Sequence, residues 1–233
     1  MRAIEVPRAY IARTIPPLVV PVETSLQSLE RLHDIGSLLE TNPKLNAILY
    51  GLHGSDTDHF AASVAEGILN RNGHRTAAIL VSEDRLKRDP MFAIGSWLGA
   101  ELTGIKRIRT AQRSKGASLS EMNDNFWGII GILKRAHKPL ILIGYPQATR
   151  SDKFQPPIPA FFAYGSVLRP VVHIPFGIYY EGNIKREGIT TNWTKNHGRI
   201  HFEIGEHTIQ NDIKVPDTKL LWSKALATLP HNA

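Results

Sequence analysis

The sequence predicts a single α/β domain built on a mixed, largely parallel sheet, flanked by helices and preceded by an N-terminal helical segment. Apolar runs of strand length alternate with stretches of helical period, as in parallel α/β sheets. No repeat, low-complexity tract or linker divides the chain, and 233 residues suffice for one domain with a substantial core. We assign residues 1–44 to an irregular and helical segment packed on the body, and residues 45–233 to the α/β domain.

Proline and apolar periodicity set the predicted elements. Residues 1–22 carry several prolines and are expected to be irregular, and Thr24-Ser25 then opens a helix. Pro175 interrupts a late apolar run, and because a central strand rarely tolerates proline, it predicts a bulge or an edge position. In chain order we predict a helix ending near 42, a strand over 46–51, a helix ending near 72, a strand over 76–81, a helix over 84–102 and a short strand over 104–109. We then predict a helix over 118–137, a strand over 140–144, a helix over 159–168, strands over 171–180 and 199–204, and a helix over 217–229.

Composition restricts the chemistry and the partners. The chain has no cysteine, which excludes disulfides, thiolate metal ligands and a cysteine nucleophile. Its 28 Lys and Arg against 21 Asp and Glu give a net charge of +7, which suits an anionic partner such as a membrane surface or a phosphorylated molecule. We see no nucleic-acid recognition module, signal-peptide core or membrane-spanning run, so we expect a cytoplasmic protein with peripheral membrane contact and no nucleic-acid partner.

The most informative stretch runs from Leu52 to His59, between a predicted strand and a predicted helix. This position puts His53 in a strand-to-helix turn and Asp58 in the first helical turn. A carboxylate there can hold one imidazole nitrogen as a donor and leave the other free to accept a proton. In the alternative interpretation, Ser55 and Asp58 form a near capping box and His53 is an ordinary turn residue.

Two later stretches also carry polar groups near buried strands. Arg150, beside the hydroxyls of Thr149 and Ser151, follows the strand over 140–144 and can form charge-assisted hydrogen bonds to a phosphate. The alternative is a solvated loop with an exposed arginine. His173, in the late apolar run, is expected to be a packed or hydrogen-bonded strand residue rather than a catalyst.

In this order and spacing, the stretches resemble the glycerolipid acyltransferases of the lysophosphatidic acid and glycerol-3-phosphate acyltransferase type. The His-x-x-x-x-Asp block of that family is matched by His53 and Asp58. Four further short blocks extend the resemblance over roughly residues 45–210. They are Gly104 to Arg109 for the middle block, Tyr145 to Ser151 for Phe-Pro-Glu-Gly-Thr-Arg-Ser, Val171 to Phe176 for Val-Pro-x-x-Pro-Val, and Ile200 to Glu206 for the late strand ending in Gly-Glu.

The resemblance implies a glycerol-3-phosphate acyltransferase-like fold and transfer of an acyl group without a covalent enzyme intermediate. His53 would be the general base, and Asp58 would orient its ring. The donor would be an acyl thioester of coenzyme A or acyl carrier protein, used as co-substrate without a metal or other cofactor. The acceptor would be a phosphorylated glycerolipid such as 1-acyl-glycerol-3-phosphate. The residues implied in binding it are Arg150, Thr149, Ser151 and Gln147, with Arg109 and Arg107 by a looser match.

The sequence departs from the family at Gln147, where the family has Glu, and at Ala148, where it has Gly. A neutral amide cannot pair with a cation as a carboxylate does, so the acceptor stays open. A diverged or catalytically silent lipid-binding protein of the same fold is one alternative. A metal-dependent hydrolase is another, with a ligand set that would consist of His53, Asp56, Asp58 and His59.

Two further groups have both a functional and a structural interpretation. The basic run over 106–115 suits coenzyme A phosphates or lipid head groups, or else a solvated face. The aromatic residues Phe161, Phe162 and Tyr164 suit an acyl channel, although helical packing is the stronger interpretation for at least two of them.

Overall fold

The computed structural model describes residues 22–51, 58–88, 97, 104–110, 118–146, 157–181, 199–214 and 216–229. Only the backbone is described at 58–61, 84–85, 88, 180–181 and 199. The helices are α1 (Leu26–Thr41), α2 (Asp58–Leu69), α3 (Glu83–Arg88), α4 (Leu119–Lys134), α5 (Pro159–Leu168) and α6 (Thr218–Leu226). The strands are β1 (Val22–Glu23), β2 (Asn46–Gly51), β3 (Thr76–Ser82), β4 (Lys106–Thr110), β5 (Leu140–Gly144), β6 (Val171–Glu181), β7 (Arg199–Ile204) and β8 (Thr208–Gln210).

Within the described residues, eight strands form one sheet in the order β1-β7-β6-β2-β5-β3-β4, with β8 also paired to β6. The five strands from β6 to β4 in this order are mutually parallel, whereas β7 and β8 run antiparallel to β6. Strand β2 lies at the centre, between β5 and β6. The prediction of a mixed, largely parallel sheet flanked by helices is therefore confirmed.

Helices cover both faces of the sheet, and each face has its own apolar core. On one side, which we call the α1/α2 face, the buried side chains of α1 and α2 meet alternate residues of β2, β3, β5, β6 and β7. On the other side, the α4–α6 face, α4, α5 and α6 pack on the intervening residues. This division follows from strand geometry, because successive side chains point to opposite faces. Ala47 and Leu49 lie on the α1/α2 face, whereas Ile48 and Tyr50 lie on the other.

Local capping signals explain where α1 and α4 begin. The hydroxyl of Ser25 accepts a hydrogen bond from the backbone N–H of Ser28, which caps α1. Ser118 and Glu121 form a reciprocal capping box at the start of α4. Each cap satisfies backbone donors that have no partner inside the helix.

The longest apolar stretches of the sequence become α4 and β5. Both belong to the packed layers, since Ile129, Leu133 and Leu142 are buried in the core of the α4–α6 face. Among the residues that the structure describes, no helix is both long enough and apolar enough to cross a bilayer.

Pro175 lies inside β6, at the point where the pairing partner changes from β7 to β8. Phe176 pairs with Ile204, and His173 pairs with Thr208, so three residues of the neighbouring chain oppose two of β6. The Pro175 carbonyl accepts a hydrogen bond from the Gly205 N–H at 2.9 Å, and the missing proline N–H falls on the same edge. Of the predicted alternatives, the edge position is wrong, because β6 also pairs with β2. The pairing is instead irregular at Pro175, with the extra residue on the neighbouring chain, at the point where proline lacks a donor.

Candidate functional site at the carboxyl edge of the sheet

The candidate site lies where β2 and β5 end side by side. The two strands are parallel neighbours, and Tyr50 is in register with Gly144. After β2 the chain continues to α2 on the α1/α2 face, and after β5 it continues to α5 on the opposite face. Adjacent strands whose connections leave toward opposite faces create a crevice, which is where open α/β sheets bind ligands.

Each of the two strands ends in a glycine that a phenylalanine ring covers. A Cβ built on Gly51 would lie 2.3 Å from the ring of Phe176, and one built on Gly144 would lie 2.3 Å from the ring of Phe161. The two rings approach from opposite faces of the sheet. Tyr145 extends this apolar base, because its ring meets that of Phe176 edge to face at 5.8 Å. The segments beyond both strands therefore start from a close-packed apolar base.

Gly144→Ala is expected to destabilise the protein by about 1–3 kcal/mol, because the new methyl group overlaps a ring in a filled core. The measurement is the free energy of unfolding by chemical denaturation. Gly36→Ala is the matched control, since its Cβ would meet its nearest neighbour, the Ile68 carbonyl oxygen, at an ordinary 3.6 Å. That helical substitution is expected to be neutral or stabilising. Wild-type stability in Gly144→Ala would contradict the packing described at this edge.

The central predicted residues flank these strand ends along the chain. His53 is the second residue after β2, and its side chain lies outside the described residues, as do those of Gln147, Thr149, Arg150 and Ser151. The structure begins α2 at Asp58. The prediction that Asp58 falls in the first helical turn is therefore confirmed for the backbone, and its side chain lies outside the description. The side chains of Asp56 and His59, the other residues of the metal-hydrolase alternative, also lie outside the described residues.

Arg109 lies at the carboxyl-edge level of the sheet but to one side of the crevice. It is in register with Val81 of β3, while Ile79 is in register with Ile143 of β5. These registers put Arg109 level with Tyr145. The strand order puts β4 two positions from β5, which corresponds to about 10 Å at the usual strand spacing.

The described part of the basic run, residues 106–110, does not form one charged face. Arg107 and Arg109 share the side of the α1/α2 face, through their registers with Ile79 and Val81. Lys106 alternates to the other side, with the buried Ile108. Arg107 lies two residues before Arg109 on β4, and is therefore farther from the carboxyl edge of the sheet. Of the described basic residues in this run, Arg109 is thus the nearest to the segment that follows β5.

The aromatic residues of α5 belong to the core rather than to a channel. Phe161, Phe162 and Tyr164 are between 0 and 6% exposed and pack within the α4–α6 face. The Phe161 and Phe162 rings meet edge to face, with their centroids 5.4 Å apart. The helical-packing interpretation is confirmed for all three residues.

His173 is buried behind the strand ends and is hydrogen-bonded, as the packed interpretation predicts. Its Nε2 lies 2.9 Å from Oε1 of Gln210, so the imidazole donates and the amide oxygen accepts. Gly165 of α5 leaves room for this pair, since a Cβ there would lie 2.6 Å from the Gln210 oxygen. Burial lowers the pKa of His173, and hence the neutral ring is favoured. These contacts describe a structural residue on the α4–α6 face.

No protein-family model matches this chain. No curated protein is significantly similar to it in sequence either. Its function is therefore inferred from the sequence blocks and from the way the sheet arranges the strands that precede them.

A second polar cluster, which the sequence pattern did not single out, lies at the far end of α2. Glu66 is only 3% exposed, and its carboxylate accepts a hydrogen bond from Nδ2 of Asn70 at 2.8 Å. Arg75 donates from its guanidinium to the carbonyl oxygens of Leu39 and Leu45, which joins the end of α1 to the start of β2. The signal available in the sequence was the position of Glu66 on the stripe of buried helix residues.

Burial raises the pKa of Glu66 to about 7, because the charged carboxylate is poorly solvated there. The folded protein therefore binds this proton more tightly than the unfolded chain does. Stability should be greatest below pH 4.5 as far as this group is concerned, and should fall as the pH rises from about 4.5 to about 7. At 1.4 kcal/mol per pH unit, the loss is about 3 kcal/mol.

Glu66→Gln is expected to remove this pH dependence and to raise stability at pH 8. The amide keeps the acceptor for Asn70 without carrying a charge. The measurement is the free energy of unfolding at intervals from pH 4 to pH 8. Glu30→Gln, at an exposed position on α1, is the matched control and should retain the wild-type profile. A profile that Glu66→Gln leaves unaltered would show that Glu66 is not the group responsible.

Proposed function

We propose that this protein is an O-acyltransferase that moves a fatty acyl group from an acyl thioester to a hydroxyl of a phosphorylated glycerolipid. The observation that carries the proposal is the adjacency of β2 and β5. The His53–Asp58 block directly follows one of these strands, and the Tyr145–Ser151 block directly follows the other. Two stretches that are far apart in sequence therefore begin at the same edge of the sheet, as a base and a phosphate-binding group acting on one substrate require.

In the proposed reaction, His53 removes the proton from the acceptor hydroxyl as its oxygen attacks the thioester carbonyl. Asp58 holds the imidazole and stabilises the imidazolium that forms. The C–O bond forms, the C–S bond breaks, and the imidazolium returns its proton to the departing thiolate. Backbone N–H groups in the first turn of α2 have no partner within the helix and are the proposed donors to the developing oxyanion.

Arg150, with Thr149 and Ser151, is the proposed phosphate-binding group for the acceptor. An arginine offers a bidentate fork to phosphate oxygens, which fixes orientation as well as affinity. Arg109 is the proposed second cation, because it is exposed and level with the start of the segment that carries Arg150.

The test is direct detection of product. The protein is incubated with acyl-CoA and, in parallel, acyl carrier protein thioesters, against lysophospholipids, glycerol 3-phosphate and unphosphorylated alcohols, and acylated products are identified by mass spectrometry. We expect transfer to phosphorylated acceptors and little transfer to their dephosphorylated counterparts. Transfer only to unphosphorylated alcohols would contradict the acceptor class, and no transfer to any acceptor would contradict the reaction.

A catalytically silent lipid-binding protein is the second candidate function, and Gln147 is the observation that favours it. If the wild-type protein binds lysophosphatidic acid without turnover, Gln147→Glu restores the carboxylate of the resembled family. Turnover in Gln147→Glu but not in the wild type would establish the silent alternative.

A further inference from the structure

The outward face of α4 carries two large apolar side chains in contact with solvent. Trp127 is 59% exposed and Ile132 is 49% exposed, although their helix is anchored by the buried Ile129, Ile130 and Leu133. Singly exposed apolar side chains are normal on protein surfaces, so the shape and charge of this face decide whether it binds a partner.

The middle of the same face carries two glycines, which have no side chain. A Cβ built on Gly128 meets no atom within 4 Å among the described residues, and one built on Gly131 meets only the guanidinium of Arg135 at 3.7 Å. At 3.6 residues per turn, both glycines lie between Trp127 and Ile132 around the helix. The face is therefore a groove with a glycine floor and two apolar walls, into which another helix can approach closely.

The order of residues along this groove is complementary to itself when reversed. Reversal about the midpoint between residues 129 and 130 exchanges Gly128 with Gly131 and Trp127 with Ile132. It also exchanges Asp124 with Arg135. The glycine floors of the two copies thus meet, and an acidic group meets a basic group at each end.

A two-fold axis across the helix generates such a reversal, and symmetric dimers are the commonest assemblies of soluble chains.

We propose that this surface docks a second copy of the chain, through antiparallel packing of α4 against α4. The pairing makes the Asp124–Arg135 contact twice, once at each end. Arg135 now donates from Nε to the carbonyl oxygen of Gly131 at 3.1 Å, an exposed contact that the partner carboxylate can replace. Because one helix face is small for an interface, the expected dissociation constant is in the micromolar range.

The first test is sedimentation velocity of the full chain from about 1 to 200 μM. The wild-type protein should shift from monomer to dimer, and added salt should weaken the shift. Gly128→Leu should stay monomeric, because its side chain fills the groove floor. It should also melt no lower than the wild type, since its side chain meets no described neighbour and leucine is the better helix former. If Gly128→Leu melts at a lower temperature, its failure to dimerise would not test the interface. The charge-reversal variants described next would then provide the test.

Charge reversal tests the geometry itself. Asp124→Arg and Arg135→Asp should each weaken dimerisation by at least tenfold, because each puts like charges together at both ends. Mixing the two single variants should restore a dimer, since every arginine then faces an aspartate. Asp34→Arg, on the exposed side of α1, makes the same charge change as the control and should dimerise normally.

Three results would overturn the proposal: a wild-type protein that is monomeric throughout, dimerisation that Gly128→Leu leaves unchanged where that variant remains folded, or single variants that do not complement each other. A membrane surface is the competing occupant. Binding to phosphatidylserine vesicles by a monomeric protein, lost in Trp127→Ser, would assign the face to lipid instead.

Discussion

His53→Ala is expected to reduce acyl transfer by roughly a hundred- to ten-thousand-fold, the usual contribution of a general base. The fold should survive, because His53 lies beyond the last residue of β2 and its truncation removes no side chain of that strand. The measurement is the initial rate of product formation at saturating donor, with far-ultraviolet circular dichroism as the check on folding. Full acyl transfer by a folded His53→Ala protein would eliminate the proposed mechanism.

Asp58→Asn separates the catalytic interpretation from the capping interpretation of the same block. An amide can stabilise the wrong imidazole tautomer and cannot balance an imidazolium, so a catalytic Asp58 predicts a severe loss of rate. Asp58 also begins α2, where a carboxylate is favourable to the helix dipole. Loss of a cap costs about 1 kcal/mol. Reduced stability with normal turnover would therefore support the capping interpretation.

Arg150→Ala is expected to weaken use of the phosphorylated acceptor far more than use of the acyl donor. Truncating a charged partner of a buried phosphate costs roughly 2–5 kcal/mol, and less where water reaches the site. The measurement is kcat/KM for the acceptor at saturating donor. Arg150→Lys should recover part of the loss, because lysine restores the charge but not the bidentate fork.

Arg109→Ala is the informative companion to this variant. Arg109 is exposed on β4, about 10 Å to the side of β5, so its loss should have the smaller effect. Unphosphorylated acceptors should be insensitive to both variants. An acceptor dependence that Arg150→Ala leaves unchanged would remove Arg150 from the site.

The element boundaries that were predicted correctly are those set by nearby proline and glycine residues. Strand β5 follows Pro139 and ends at Gly144, and α5 begins at Pro159, so fixed backbone signals coincide with a change of apolar pattern. Strands β1 and β8 were not predicted, because they have only two and three residues. Their pairing partners, β7 and β6, define them, and no sequence period can appear over so few positions.

The proposed chemistry of the site comes from the sequence, whereas its described surroundings come from the structure. The residues His53, Asp58 and Arg150 follow from spacing and from resemblance, and the adjacency of β2 and β5 then gives their segments a common edge. The rings over Gly51 and Gly144 could not be foreseen, because they come from Phe176 and Phe161, which are distant in sequence. Long-range packing of this kind leaves no local pattern.

The central place of β2 in the sheet has a consequence for the order in which the chain matures. Strand β2 leaves the ribosome well before residues 140–144 and 171–181, which form its two neighbours. Until then its apolar residues, Ile48 and Leu49 among them, have no strand beside them. Such distant pairings fold slowly and expose apolar surface on the way. Nascent chains of this protein should therefore depend on chaperones until β6 has been made.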